Sequence, residues 1–211
     1  DVLGSRGLGD VYKRQIQDES MKLDFIRRIK KEAANMAGLI NDILMISRLE
    51  AKDAEVLVSD VRISPLLEDI VDSLKPAAAD SQVFVHIDCQ PLCVRANPQQ
   101  MKELLSNLVG NAVKYNHPGG QVWVNIREQD ENIVIRVRDN GVGIPQESLD
   151  RIFERFYRVD KGRSRKQGGT GLGLSIVKHI VNFYHGSIRV TSELEKGTEF
   201  TVMIPVKWEE L

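Results

Sequence analysis

The chain has 211 residues, 42% of them hydrophobic and 28% charged, a balance that excludes a wholly disordered polypeptide and allows a sizeable core. Its 29 Lys and Arg nearly cancel 30 Asp and Glu, leaving −1, so no global field argues for nucleic acid or an anionic membrane as partner. No apolar run is long enough to span a bilayer, and two cysteines, Cys89 and Cys93, are too few for a disulfide framework and fit a reducing compartment.

Residues 1–15 (DVLGSRGLGDVYKRQ) are Gly-rich without a period and read as a scar or a disordered lead-in. From Met21 to Glu50 the pattern is helical: Ile29, Met36 and Ile43 recur every seven residues, with Phe25, Leu39 and Ile46 alongside. That stripe is wider than a two-helix seam, so residues 16–54 are expected to supply one long bundle helix that needs partners. Residues 55–211 then read as a separate mixed domain. A strand is expected over Val56–Ile63, followed by a helix from Ser64-Pro65, taken as N-cap and first position, to about Ala79. Gln82–Asp88 and Leu92–Arg95 read as extended. His86 and the two cysteines fall short of a closed zinc set, so small partly buried thiols are the simpler expectation.

Asn97-Pro98 repeats the cap signal and opens a helix to Tyr115. Val122–Ile126 and Ile133–Val137 alternate and predict a hairpin about Asp130–Asn132. A short helix is expected from Pro145 to Phe153, a longer one from Gly171 to Tyr184, and closing strands at Ser187–Thr191 and Thr198–Val206. Because strands and helices do not alternate strictly, the fold class is α/β with a mixed sheet covered by helices rather than a doubly wound parallel one.

Four segments carry chemistry. Asn107, Asn111 and Lys114 stand at i, i+4 and i+7, a polar line beside the apolar face of Met101, Leu104, Leu105, Leu108 and Ala112. It is either a solvated face or a stripe aimed at a ligand, and an Asn amide oxygen suits Mg²⁺. Asp139-Asn140-Gly141-Val142-Gly143-Ile144 follows a strand; it is either a common turn or a place where backbone passes close to a flat ligand beside a carboxylate acceptor. Gly168–Leu174 runs into a helix, where glycines expose N–H groups to a phosphate. It is neither a Walker A loop nor a dinucleotide fingerprint. Arg155, Arg158, Lys161, Arg163, Arg165 and Lys166 stand against Asp160 alone, either as a solvated loop or as a lid meeting a polyphosphate. Phe153, Phe156 and Tyr157 are expected to anchor that lid's root in the core.

In this order the segments resemble the sensor histidine kinases of two-component systems over about residues 55–207. Asn107–Tyr115 resembles their N box, Asp139–Ile144 the first glycine box, Phe153–Arg158 the F box, Gly169–Leu174 the second glycine box, and Gly197-Thr198 a late motif near the last strand. Met21–Glu50 is similar to the second helix of their dimerisation bundle. The resemblance implies a two-layer α/β sandwich with a mixed sheet, shared with gyrase-type ATPases, preceded by one long bundle helix. It also implies ATP and Mg²⁺ as ligands. Asn111 would hold the metal; Asn107 and Lys114 would meet phosphates; Tyr115 would pack on adenine and Asp139 accept from its amino group. Gly141, Gly143, Ile144 and Thr198 would complete the base site. Arg158 and Lys161 would reach phosphates from the lid, and Gly169, Thr170, Gly171, Leu172, Gly173 and Leu174 would cradle them.

The family's phosphoacceptor lies on the first bundle helix, upstream of the helix matched here, and His86, His117, His179 and His185 do not fit it. The implied activity is therefore transfer of the ATP γ-phosphoryl group to a histidine on a helix absent from this sequence, for relay to a response regulator. The fragment itself is not expected to self-phosphorylate. A homodimer is expected in the parent, which is a cytoplasmic or membrane-anchored protein with this domain in the cytoplasm. Two other readings stay open: a gyrase-type ATPase, in which Glu103, one turn before Asn107, would activate water, and a nucleotide-sensing binding module using the Phe25–Ile46 face.

Overall fold

The computed structural model describes residues 19–50, 57–159 and 170–206. The chain divides into two compact units, Asp1–Asn41 and Asp42–Leu211. The first contains most of α1 (Glu19–Glu50). Along it Phe25, Ile29, Met36 and Ile40 are all more than half exposed, whereas Leu39 is half-buried and Ile46, near the end of the same stripe, is buried.

The second unit is a two-layer α/β sandwich. Its elements in order are β1 (Ser59–Arg62), α2 (Ile63–Asp80), β2 (Phe84–Cys89), β3 (Cys93–Ala96), α3 (Pro98–Lys114), β4 (Gln121–Gln129), β5 (Asn132–Asp139), α4 (Gly173–Phe183), β6 (Ser187–Glu193) and β7 (Gly197–Pro205). The main sheet runs β2-β4-β5-β7-β6. β2 pairs parallel with β4, and the remaining neighbours are antiparallel. β1 and β3 form a separate antiparallel pair. One face of the sheet is covered: α2 lies on β2, α3 on β4 and β5, and α4 on β6 and β7. Strand alternation explains the layering, since Val122, Val124 and Ile126 on β4 are buried while the alternate positions Trp123 and Arg127 are exposed. Leu104 and Leu108 on α3 and Ile176 and Ile180 on α4 are fully buried, each worth about 1.5–3 kcal/mol on removal from water.

Several expected boundaries shift. Ser64 lies inside α2, not at its cap; Arg62 occupies the cap position without a side-chain bond, and the Ser64 hydroxyl donates instead to the Gln90 carbonyl at 3.3 Å. The expected helix Pro145–Phe153 is a 3₁₀ turn at Gln146–Ser148 followed by turns, a stretch too short to sustain an α-helix without tertiary support. α4 begins at Gly173 rather than Gly171, because Gly171 takes a left-handed φ of +74°. His86 stacks on Trp123 with ring centres 6.0 Å apart. Cys89 Sγ lies 3.5 Å from the Ser64 hydroxyl, and burial raises the Cys89 pKa.

Candidate nucleotide site

α3 is the spine of the site. Asn97 caps it, its side chain accepting from Gln100 N–H at 3.0 Å, with Pro98 in the first turn. The Tyr184 hydroxyl at the end of α4 accepts from Asn97 N–H at 2.9 Å and donates to the Gln100 side chain, which ties the two helices together. Along the polar line, Asn107 Nδ2 donates back to the Glu103 carbonyl at 2.9 Å. This leaves Asn107 Oδ1 facing Gly173, where a Cβ would come within 2.3 Å of it. N box and second glycine box therefore meet, and only a glycine fits at the junction. No side chain among the described residues hydrogen-bonds the Asn111 amide. Lys114 Nζ lies 5.3 Å from the Tyr115 ring centre. Burial, and after it the Arg158 charge, lowers the Lys114 pKa.

Tyr115 ends α3 as its C-cap and is 40% exposed. Its carbonyl accepts from Val142 N–H at 3.1 Å, and a Cβ on Gly141 would come within 2.5 Å of that oxygen. The end of the N box is thus welded to the first glycine box. Asp139 is 8% exposed; its Oδ1 accepts from Gly141 N–H at 2.8 Å and Thr198 N–H at 3.3 Å. Burial raises its pKa, while those two bonds and the nearby His117 oppose the rise. Asp139 Oδ2 has no partner among the described residues. Gly143 has a φ of +68°, and a Cβ there would come within 2.1 Å of the Glu193 carbonyl. The β6–β7 hairpin closes over this turn, with Glu195 N–H donating to Val142 O at 2.8 Å and Ile144 N–H donating to the Ser192 hydroxyl at 2.8 Å. Ser192 was not singled out by the sequence; nothing local marks a serine in an ordinary alternating strand.

At the opposite end, Phe156 N–H donates to the Gly171 carbonyl at 2.9 Å, joining the F box to the second glycine box. Phe156 itself takes a left-handed φ of +62° and is 61% exposed. This corrects the expectation that it anchors the lid in the core: that backbone conformation turns the ring outward. Tyr157 does anchor, its hydroxyl donating to Ser148 at 3.0 Å. Arg158 Nε and Nη2 are buried with no acceptor among the described residues, and the guanidinium acts electrostatically on Lys114 and Tyr115. Thr170 Oγ1 accepts from Leu172 N–H and donates to Asp42, both at 3.2 Å. Leu172 is buried and Leu174 half-buried. The α4 start has no side-chain cap, so its first N–H groups are available to an anion. Lys161 and Gly169, like Asp160 and the other lid cations Arg163, Arg165 and Lys166, lie outside the described residues. Of the expected residues that are described, Asn107 faces Gly173, the Tyr115 carbonyl meets the Gly141 turn, the Arg158 charge acts on Lys114 and Asp139 accepts from Thr198, while Asn111 meets no side chain among the described residues.

The profile of the histidine kinase-, DNA gyrase B- and HSP90-like ATPase family matches residues 96–207, from the end of β3 through β7. The chain belongs to this family. Within it, similarity runs to sensor kinases. The chain is 34% identical over 189 residues to the sensor histidine kinase WalK of Bacillus subtilis, a match covering 88% of this chain and 31% of WalK. It is 36% identical over 187 residues to the sensor histidine kinase RppB of Synechocystis, covering 86% of this chain and 40% of RppB. Among solved structures, full-length ShkA in complex with AMPPNP is 27% identical with a TM-score of 0.73, covering 89% of this chain and 40% of ShkA. The chain thus spans about a third of the length of the curated relatives it matches, and the stretch it spans is a catalytic ATP-binding domain of the sensor histidine kinase type. The gyrase-type alternative finds no such support. Glu103, the residue it would need, is half-buried, accepts from Gln99 at 2.8 Å and has its pKa raised by burial.

Proposed function

We propose that this chain binds Mg·ATP between the N box and the two glycine boxes. Its γ-phosphoryl group passes to a histidine on a bundle helix outside this sequence, for relay to a response regulator. The observation that carries the reading is the pair of buried guanidinium nitrogens of Arg158, Nε and Nη2. These two donors have no acceptor among the described residues, and the Arg158 charge acts on Lys114. Buried cationic donors left unpaired within the electrostatic reach of a half-buried lysine are unfavourable unless an anion joins them, and a triphosphate has the charge required. Asn107, Lys114 and the N–H groups at the start of α4 complete the phosphate side, with Lys161 and Gly169–Leu174 as lid and cradle. Asp139 accepts from the adenine amino group through Oδ2, Tyr115 packs on the base, and Gly141, Gly143, Ile144 and Thr198 shape its slot.

The donor set fits Mg²⁺: Asn111 offers an amide with no side-chain partner among the described residues, and this ion takes few protein ligands, keeping water and phosphate oxygens. When bound, it neutralises charge on the triphosphate. The protein's own part is positioning and electrostatics. In the transfer, the bond between the γ-phosphorus and the β–γ bridging oxygen breaks, a bond from phosphorus to an imidazole nitrogen forms, and ADP leaves. This reading takes none of the four histidines as the acceptor, which is supported by His86 stacking on Trp123, His179 lying 3.3 Å from an Arg155 nitrogen, and His117 and His185 being exposed in turns.

Residues 16–54 act as part of a dimerisation bundle and residues 55–211 as the catalytic domain, with 1–15 outside both. No described helix is long and apolar enough to cross a membrane, and ATP as substrate puts the domain in the cytoplasm of a parent that is anchored or free. Mg·ATP should raise the melting temperature of the chain. Radiolabelled ATP should give no phosphohistidine with the chain alone and should label an added bundle helix that carries the acceptor. Self-labelling on histidine, or no thermal response to ATP, would refute the reading.

A further inference from the structure

The Ser192 hydroxyl on β6 meets three groups at once. It accepts from Ile144 N–H at 2.8 Å, donates to the Gly197 carbonyl at 2.9 Å, and lies 2.9 Å from Thr198 Oγ1. A hydroxyl has one proton and two lone pairs. With its proton on Gly197 and one lone pair taken by Ile144, Ser192 can meet Thr198 only by accepting the Thr198 proton. Thr198 Oγ1 is left with lone pairs alone. Its own N–H is spent on Asp139 Oδ1, which also takes Gly141 N–H. Asp139 and Thr198 are both buried, so water is a poor substitute partner for either.

We propose that Ser192 is a specificity-determining positioning residue. By holding the Thr198 proton turned away, it makes the wall formed by Asp139 and Thr198 purely accepting, so that a 6-amino purine is taken and a 6-oxo purine refused. A site whose buried groups are all acceptors discriminates strongly against a ligand that offers another acceptor in place of a donor. The same hydroxyl pins the Gly141–Ile144 turn to the β6–β7 hairpin, so the wall cannot move aside. The proposal rests on the reading of Asp139 as the base acceptor.

The test is calorimetric titration of the full chain with ATP and with inosine triphosphate, with melting curves alongside. The native chain prefers ATP. In Ser192→Ala the Thr198 proton is free to turn toward a 6-oxo group, and the ATP-to-inosine-triphosphate preference should fall about fivefold to tenfold, the size of one net hydrogen bond. Ser192→Cys, near in volume but a weak partner, should lower it similarly and serves if the alanine variant does not fold. Ser192→Thr, which keeps the hydroxyl, should restore it. Equal weakening of both nucleotides would make Ser192 merely structural, and an unchanged ratio would leave it without a role; either overturns the proposal. Asp139→Asn is run in parallel. If it moves the ratio and the Ser192 variants do not, only the Ser192 proposal fails. If Asp139→Asn leaves the ratio unmoved, the base-acceptor reading fails and takes the proposal with it.

Discussion

The base end and the phosphate end of the site differ in how far the protein completes them by itself. Around Asp139, strand, turn and hairpin are knitted together: Gly141 and Thr198 donate to Oδ1, Val142 to Tyr115, Glu195 to Val142 and Ile144 to Ser192. Among the described residues, Asp139 Oδ2 is left without a partner. At the other end, among the described residues, Arg158 carries two buried donors without an acceptor, Asn111 has no side-chain partner, and α4 starts without a side-chain cap. On the proposed reading, base recognition is preorganised, whereas the phosphate end holds an electrostatic cost that a polyanion would relieve. A domain built this way should choose its nucleotide by the rigid end and respond to it through the unfinished one.

The sharpest way to break that contrast is at the rigid end. Asp139→Asn replaces an acceptor with an amide that can present a donor to the adenine amino group. ATP affinity should fall by about 1–3 kcal/mol, tenfold or more, the cost of mispairing a buried polar group. Calorimetry reads this directly, and native affinity in the variant would remove Asp139 from the base site. Arg158→Met probes the unfinished end and should move two quantities in opposite directions. Without ligand the variant should melt higher, by a few degrees for a gain of about 1–2 kcal/mol, because an unsatisfied buried cation is gone. ATP binding should weaken by a similar amount. A variant that melts lower would mean that the guanidinium is satisfied in the free protein and that the two ends do not differ as described.

Much of this was readable in the sequence wherever the signal was local. Asn97-Pro98 starts α3 where the cap pattern puts it, and the β4–β5 hairpin turns at Asp130-Glu131 as alternation predicts. The failures share a cause. Ser64 has the residue type of a cap, yet its hydroxyl goes to Gln90, 26 positions away, which no local rule foresees. Phe156 is apolar and was assigned to the core, but the bond to Gly171 holds it in a left-handed turn, and its ring faces water. From their motifs Gly143 and Gly173 read as glycines that admit a ligand; their nearest constraints are Glu193 and Asn107, protein groups brought in by other elements. Ser192 left no trace because its meaning arises only when the hairpin folds over the turn. Motif spacing thus proposes the membership of the site, and long-range packing supplies its wiring.

A smaller effect comes from α3, which supports both ends. Asn97→Ala removes the N-cap and a bond from Nδ2 to the Leu57 carbonyl at 2.8 Å. It should cost about 1 kcal/mol of stability, measured by denaturant titration. ATP affinity should change less than about twofold, since the cap is remote from the nucleotide contacts. A large loss of affinity would mean that the order of the base end depends on the far end of this helix rather than on the hairpin above it.

The mildest test concerns proton uptake at Lys114. Burial, and then Arg158, lowers its pKa below that of an ordinary lysine. In the ligand-free protein the unfolded chain holds this proton over a window in which the folded one has released it. Stability should therefore rise with pH from the lowered folded value up to the ordinary lysine value. ATP binding should do the reverse, weakening across the same window as the cation that meets the phosphates is lost. Lys114→Met should flatten both trends, whereas changes at Asp139 should leave them in place. If stability and affinity move together with pH instead, Lys114 is not strained by its surroundings in the free protein. The unfinished character of the phosphate end would then rest on Arg158 alone.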